Sequence, residues 1–280
     1  MKILVTGGAG FIGSNLIKKL LSQGMTVDSL DDYSLGSIEN EITGCTYHAG
    51  DIFTIKHLDS YDIIFHLAAL SRIQPSFNNP SETYRVNTMG TQQVLEFARL
   101  TGAKVVYAGS SSKHHDPYQS PYAACKYMGE EVCKMYKMTY GMDIEIARFY
   151  NVYGPNEIID GDYAAVIGIW RRQMRDNEPL TIVGDGEQRR DFTHVEDIVD
   201  GLYRIGFKKE VHEDAWELGS GKNYSINEVY KMFEDNFYTK SIYIEDQSGN
   251  YRATLRENND AVQRLNWQPK DRLKDYINSL

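Results

Sequence analysis

Tyr122 and Lys126 stand four positions apart in the run Ser120-Pro121-Tyr122-Ala123-Ala124-Cys125-Lys126. On a helix, that spacing puts both side chains on one face. A tyrosine hydroxyl titrates near pH ~10, and a neighbouring ammonium favours the phenolate. Such a pair is a general base able to take a proton from an alcohol hydroxyl near neutral pH. Taken alone, a Tyr and a Lys at this spacing equally describe an exposed helix face. Here they follow a strand ending in Ser110-Ser111-Ser112 and a phosphate-binding signature at the start of the chain.

That signature begins with the apolar run Lys2-Ile3-Leu4-Val5-Thr6, which suits a buried parallel strand. Phe11, Ile12, Leu16, Ile17, Leu20 and Leu21 then recur at helical spacing. Between them, Gly8, Gly10 and Gly13 satisfy G-x-G-x-x-G, and Gly7, Gly10 and Gly13 satisfy a G-x-x-G-x-x-G variant. Strand, glycine turn and helix together form a pyrophosphate site, because glycines admit the phosphates and a helix start offers unpaired N–H groups. The next expected strand, 25–30, ends at Asp31-Asp32, where the dinucleotide fingerprint places a carboxylate on the adenosine ribose. A carboxylate binds ribose hydroxyls and repels a 2′-phosphate. No Arg or Lys lies between Val27 and Asn40, which favours NAD over NADP. The plain alternative is that the two aspartates merely open a polar loop.

A chain of 280 residues can bury a substantial core as one large domain or two modest ones. Its net charge of −9 argues against nucleic acid or an anionic membrane as the main partner, while leaving room for a local basic pocket. Cys45, Cys125 and Cys133 are too few and too scattered for a disulfide framework or a metal site, and no metal is expected. A reducing cytoplasm is the expected home, with a folded strand rather than a signal sequence at the N-terminus.

Strand-like and helix-like runs alternate through the first half: strands at 45–48, 63–67, 104–108 and 144–148, helices at 84–100 and 122–136. This order predicts an α/β fold, a doubly wound parallel sheet of the Rossmann type with ligand at the carboxyl ends of its strands. Beyond Asn151 the pattern loosens, with helices expected at 163–175, 194–205 and 226–237 and strands at 179–183 and 216–218. The expected division is a dinucleotide-binding domain over 1–150, with returning segments near 190–220. A smaller, intertwined substrate-binding region covers most of 151–280.

The ordered set of motifs resembles the extended short-chain dehydrogenase/reductase family, and within it the NAD-dependent nucleotide-sugar epimerases and dehydratases. It comprises Thr6 to Gly13, Phe65-His66-Leu67-Ala68-Ala69, Val86-Asn87 with Gly90-Thr91, and Ser120 to Lys126. Arg148-Phe149-Tyr150-Asn151-Val152-Tyr153-Gly154-Pro155, Gly184-Asp185-Gly186 with Arg190-Asp191-Phe192, and Leu265-Asn266-Trp267-Gln268-Pro269 complete it. The resemblance implies that Tyr122 is the base, that Lys126 binds the nicotinamide ribose and lowers the tyrosine pKa, and that Ser110 is the catalytic serine, with Ser111 as runner-up. It implies that Phe11 and Ile12 line the pyrophosphate turn, that Asp31, with Asp32 and Ser34, holds the ribose, and that Asp51 and Ile52 flank the adenine. Leu67, Ala68, Ala69 and Tyr150 would pack along the cofactor, and Asn87 would position its nicotinamide half. Asn151, Ala165 and Val166 would contact the nucleotide sugar, and Arg190 its diphosphate. The implied reaction is 4-epimerisation, with 4,6-dehydration or decarboxylation as enzymatic alternatives and a non-catalytic NAD sensor as an alternative of another class. A homodimer through a four-helix bundle of 84–100 and 122–136 is implied as well.

Two departures stand out. Tyr122 comes only 12 positions after Ser110, across a short loop carrying Lys113-His114-His115-Asp116, where the family has a longer sugar-walling segment. A second substrate-phosphate arginine is replaced by Gln247, with Arg252 as a weak substitute. The plain reading makes His114 and His115 a solvated turn, Asp185, Glu187 and Asp191 a turn paired with Arg189, and Arg171-Arg172 a solvated helix face.

Overall fold

The computed structural model describes residues 1–209 and 211–280. Seven strands, all parallel, form the main sheet: β1 (Lys2–Thr6), β2 (Thr26–Asp31), β3 (Thr46–Ala49), β4 (Ile63–His66), β5 (Lys104–Ser110), β6 (Ile144–Phe149) and, after three strands that lie elsewhere, β10 (Trp216–Leu218). Their spatial order is β10-β6-β5-β4-β1-β2-β3. The order reverses direction between β1 and β4, and in open sheets of this kind ligand binds beyond the strands' carboxyl ends at that reversal. Thr6 pairs with Leu30 on one side and His66 on the other, so the first glycine turn opens directly over the reversal.

The near-continuous apolar runs of these strands are explained by burial on both faces. One face is covered by α1 (Phe11–Ser22) and α7 (Val195–Phe207), with Trp216 and Trp267 completing the cluster. The other is covered by α4 (Gly90–Thr101) and α5 (Pro121–Tyr140). Two short helices, α2 (Ile73–Asn78) and α3 (Pro80–Tyr84), lead from β4 toward α4. A second, smaller layer holds β7 (Asn151–Tyr153), β9 (Arg189–His194) and β11 (Asn223–Ser225) in one sheet, and β8 (Leu180–Val183) with β12 (Ser241–Ile244) in another. Its own core gathers Trp170, Phe233 and Leu273 from α6 (Val166–Arg175), α8 (Ile226–Phe237) and α10 (Leu273–Asn278). The short α9 (Asp260–Arg264) packs against β10.

Helix boundaries shift from expectation for local reasons. The segment 84–100 is not one regular helix, because Arg85–Met89 forms a π-helical turn before α4. The α5 helix starts at Pro121 because the Ser120 hydroxyl accepts from the Ala123 amide (3.1 Å), and it runs on to Tyr140, where Gly141 closes it in the left-handed conformation. Rather than starting at 163, α6 begins at Val166, because the backbone is still extended at Ala165 (φ −89°, ψ 172°). No helix among the described residues is long and apolar enough to cross a membrane.

Candidate active site

A cleft of about 920 Å³ runs along the carboxyl edge of the main sheet and continues under the smaller layer. The residues assigned above to catalysis, cofactor or substrate border it, except Asn87, Gly8 of the alternative glycine register and the weak substitute Arg252. The Asn87 side chain is buried in the π-helical turn, where its amide exchanges hydrogen bonds with the backbone of Leu70 (2.8 and 2.9 Å). Asn87 therefore fixes the loop after β4 through the Leu70 backbone.

At one end lies the glycine turn. Gly7 has φ +73, and a Cβ on Gly13 would sit 2.1 Å from the Gly7 carbonyl oxygen. Only glycines allow this close crossing. Gly8 faces inward onto Ser29, so the register that borders the cleft is Gly7-Gly10-Gly13. Gly10 begins α1 with no side-chain cap and no acidic residue in the first turn, which leaves amides and the positive helix end open to phosphate. The Asp31 carboxylate accepts from the amides of Ala9 (2.8 Å) and Tyr33 (2.9 Å), and burial raises its pKa. Asp32 holds the Ser34 amide and hydroxyl (2.9 and 2.6 Å). Asp51 caps the turn at Ile52–His57 and pairs with Arg85 (2.8 Å), which holds its carboxyl low.

Midway along the cleft, Tyr122 and Lys126 project from the first turns of α5 toward the end of β5. The Tyr122 amide donates to Ser76 on α2 (3.1 Å), locking the helix start. Burial raises the pKa of the Tyr122 phenol; hydrogen bonding to Ser110 and the charge of Arg72 pull it back. Both Ser110 and Ser111 border the cleft, and the Ser110 hydroxyl accepts from the Ser112 amide (3.2 Å). Lys126 is 6% exposed and donates to the Ala108 carbonyl (2.9 Å); burial lowers its pKa to about 8. In this structure the cation that offsets the burial of Tyr122 is Arg72, with Lys126 turned to the strand.

The description "NAD dependent epimerase/dehydratase family" fits the chain over residues 3–219. The chain belongs to this family. It is 32% identical to a putative UDP-glucose 4-epimerase of Methanocaldococcus jannaschii, over 98% of this chain and 95% of that one. It is 28% identical to UDP-glucuronic acid decarboxylase 1 of Arabidopsis thaliana, over 99% of this chain and 68% of that one. Among solved structures it resembles the UDP-glucuronic acid 4-epimerase of Bacillus cereus in complex with UDP-glucuronic acid and NAD, with TM-score 0.85, 27% identity and coverage of 99% and 96%. As a member of an NAD-dependent enzyme family with a Rossmann fold, the protein takes NAD as its cofactor, and the Gly7–Gly13 cradle fits the group.

At the substrate end, Arg190 is partly buried and forms no ion pair among the described residues. Its Nη1 donates to the carbonyls of Arg189 and Tyr251 (2.9 and 2.7 Å), and burial lowers its pKa to about 10. Asn151 donates to Thr254 (3.1 Å). Arg252 does not serve this end: it pairs with exposed Asp185 (2.9 Å). Arg189 in turn pairs with Glu228 (2.8 Å) rather than with the acidic turn. Nor is the short loop a solvated turn. His114 Nε2 lies 2.9 Å from Glu217, and the His115 ring stacks on Tyr251 (3.9 Å, 9°). Arg171, expected to be solvated, pairs with buried Glu157 (3.1 Å).

Beneath the Ser110 end of β5, Arg148 ties Glu130 (2.8 Å), Glu217 (3.0 Å) and Asp214 (2.8 Å), and the Tyr150 hydroxyl donates to Glu217 (2.6 Å). Sequence reasoning missed Arg72, Tyr251, Ser76 and Glu157. For Arg72 a signal existed, a cation in the loop just past a parallel strand's carboxyl end. Tyr251 reaches the site through a pairing no local pattern encodes.

Proposed function

We propose that the protein is a nucleotide-sugar 4-epimerase. The observation that carries this reading is Tyr122 set against Ser110 and a cation, in a cleft whose other half is the glycine cradle. When bound, NAD supplies a hydride acceptor that can also return the hydride. Tyr122 takes the proton of the C4 hydroxyl, Ser110 bridges hydroxyl and phenolate, and Lys126 turns to hold the nicotinamide ribose. Arg190 anchors the diphosphate by charge-assisted hydrogen bonds while the keto sugar turns over, so that its opposite face meets the cofactor. Tyr122 then gives back its proton. Under this reading residues 1–150, with α7 and β10, carry the cofactor, and most of 151–280 carries the nucleotide sugar.

A second reading, decarboxylation, is favoured by the likeness to the plant decarboxylase. The Ser111-Ser112 pair lacks the carboxyl groups that would handle later proton transfers in dehydration, and no glutamate stands in the short loop for decarboxylation. Incubation with UDP-galactose, UDP-GlcNAc, GDP-mannose and UDP-glucuronate, read by NMR and mass spectrometry, tests the choice, because epimers keep their mass whereas decarboxylation of the uronate loses carbon dioxide. Tyr122→Phe lowers kcat by at least ~10³-fold while NAD stays bound. If wild type and variant convert nothing across a broad panel that includes the uronate, the sensor reading gains.

We place the protein in the cytoplasm as a homodimer. Tyr127, Met135 and Met138 lie on one face of α5, Met89 precedes α4 and Leu100 lies in its last turn, all exposed. These apolar residues support a four-helix bundle with a second copy.

A further inference from the structure

Two guanidinium groups in the substrate half of the cleft have no carboxylate partner among the described residues: Arg190 and Arg72. If Arg190 takes the diphosphate, Arg72 remains. It is partly buried, precedes α2, and commits only its Nε, to the Tyr163 carbonyl (2.8 Å). Leaving the terminal nitrogens of a desolvated guanidinium unmatched is costly, and a cleft tolerates it where a ligand completes the pairing. Glu157, whose charge acts on Arg72, accepts from Arg171 and the Tyr276 hydroxyl at Oε1 (each 3.1 Å), keeps Oε2 without a partner among the described residues and forms no hydrogen bond with Arg72, so two guanidinium groups share one carboxylate and these three groups sum to one positive charge. Arg72 borders the same cleft as Tyr122 and Ser110, and its charge acts on the Tyr122 phenol.

We propose that Arg72 reads a carboxylate on the pyranose ring, making the preferred substrate a nucleotide-linked uronic acid. This rests on the epimerase reading for which ligand fills the cleft, and it names that ligand's class. A planar fork with two free nitrogens matches a carboxylate bidentately, and a neutral sugar leaves them unpaired. A site built around such a buried group discriminates strongly against the analogue lacking its partner.

The test measures affinity by calorimetry on the NAD-loaded protein for UDP-glucuronate, UDP-glucose and UDP, in wild type and Arg72→Gln. Sugar conversion is followed separately by NMR. The expected result is at least ~30-fold tighter binding of UDP-glucuronate than of UDP-glucose, collapsing to within about threefold in the variant. Working with the ratio cancels any general effect of the substitution on the fold or on Tyr122. Equal or weaker binding of the uronate by wild type overturns the proposal, as does a ratio that survives Arg72→Gln. An equal loss for UDP alone assigns the guanidinium to the diphosphate and overturns it too. Uronate preference without C4 inversion sinks the epimerase reading and leaves the carboxylate assignment standing, whereas inversion of neutral sugars only does the reverse.

Discussion

Lys126 is needed for chemistry and costs the fold stability, and the cost can be measured. Burial moves its pKa from 10.5 to about 8, a displacement corresponding to about 3 kcal/mol against the charged form. Its hydrogen bond to the Ala108 carbonyl (2.9 Å) returns about 1 kcal/mol. Lys126→Met keeps the length of the stem and removes the charge, so the cofactor-free variant gains about 2 kcal/mol at pH 7. For a chain of this size that raises the thermal midpoint by roughly 4–8 °C. Below pH 8, folded and unfolded chains both hold the proton and the penalty is complete. Between pH 8 and 10.5 the folded chain sheds it while the unfolded chain keeps it, so wild type gains stability as pH rises and the advantage of the variant shrinks. Urea unfolding of both proteins at pH 7 and pH 9.5, with unchanged slopes, reads the difference directly. A variant less stable than wild type, or a gain that is the same at both pH values, would refute the reasoning. Activity should be lost in the variant at every pH.

The buried arginine beneath β5 makes the opposite prediction. Arg148→Met strands Glu130 and leaves Glu217 only His114 and the Tyr150 hydroxyl, both carboxylates being 0% exposed, at a cost of about 3–5 kcal/mol and a thermal midpoint lowered by roughly 10 °C. In wild type, hydrogen bonds from His114, Tyr150 and Arg148 outweigh burial and hold the Glu217 carboxyl low, so the deficit of the variant should narrow toward pH 5, where the stranded carboxyls take up protons; scanning calorimetry at pH 5 and 7 checks this. At the ribose end, Asp31→Asn removes the charge that repels a 2′-phosphate and replaces one acceptor of the Ala9 and Tyr33 amides. The ratio of NADP to NAD dissociation constants should fall at least ~tenfold by fluorescence titration.

Legibility in the sequence followed how local the governing physics is. Strands buried on both faces write themselves as apolar runs, and Gly7, Gly10 and Gly13 are demanded by a backbone crossing within one turn, so the Rossmann half and its phosphate cradle could be read directly. The Tyr122–Lys126 pair was visible because four residues on a helix fix a shared face. What the sequence could not show is pairing at a distance. His114 meets Glu217 across 103 positions, and His115 stacks on Tyr251 from a segment without regular structure. The three-residue strands β7 and β11 are too short to carry a period of their own, although β10 was legible at 216–218. Nor does anything local to Asn87 show that its amide is taken up by the Leu70 backbone from within a π-helical turn. Arg72 escaped notice because nothing in its neighbours reveals that its ion-pair partner is missing.

The placement of β10 has a consequence for how the protein is made. The large sheet receives its last strand, and Trp216 its seat beside Ala147, only after the chain has traversed α6 to α7 and three strands of the smaller layer. On the ribosome, the emerging N-terminal half must therefore wait with the outer edge of β6 bare until residue 218 is free of the exit tunnel. Neither half can be finished and then handed to the other, and a cut near residue 150 yields a sticky fragment rather than a smaller NAD-binding protein.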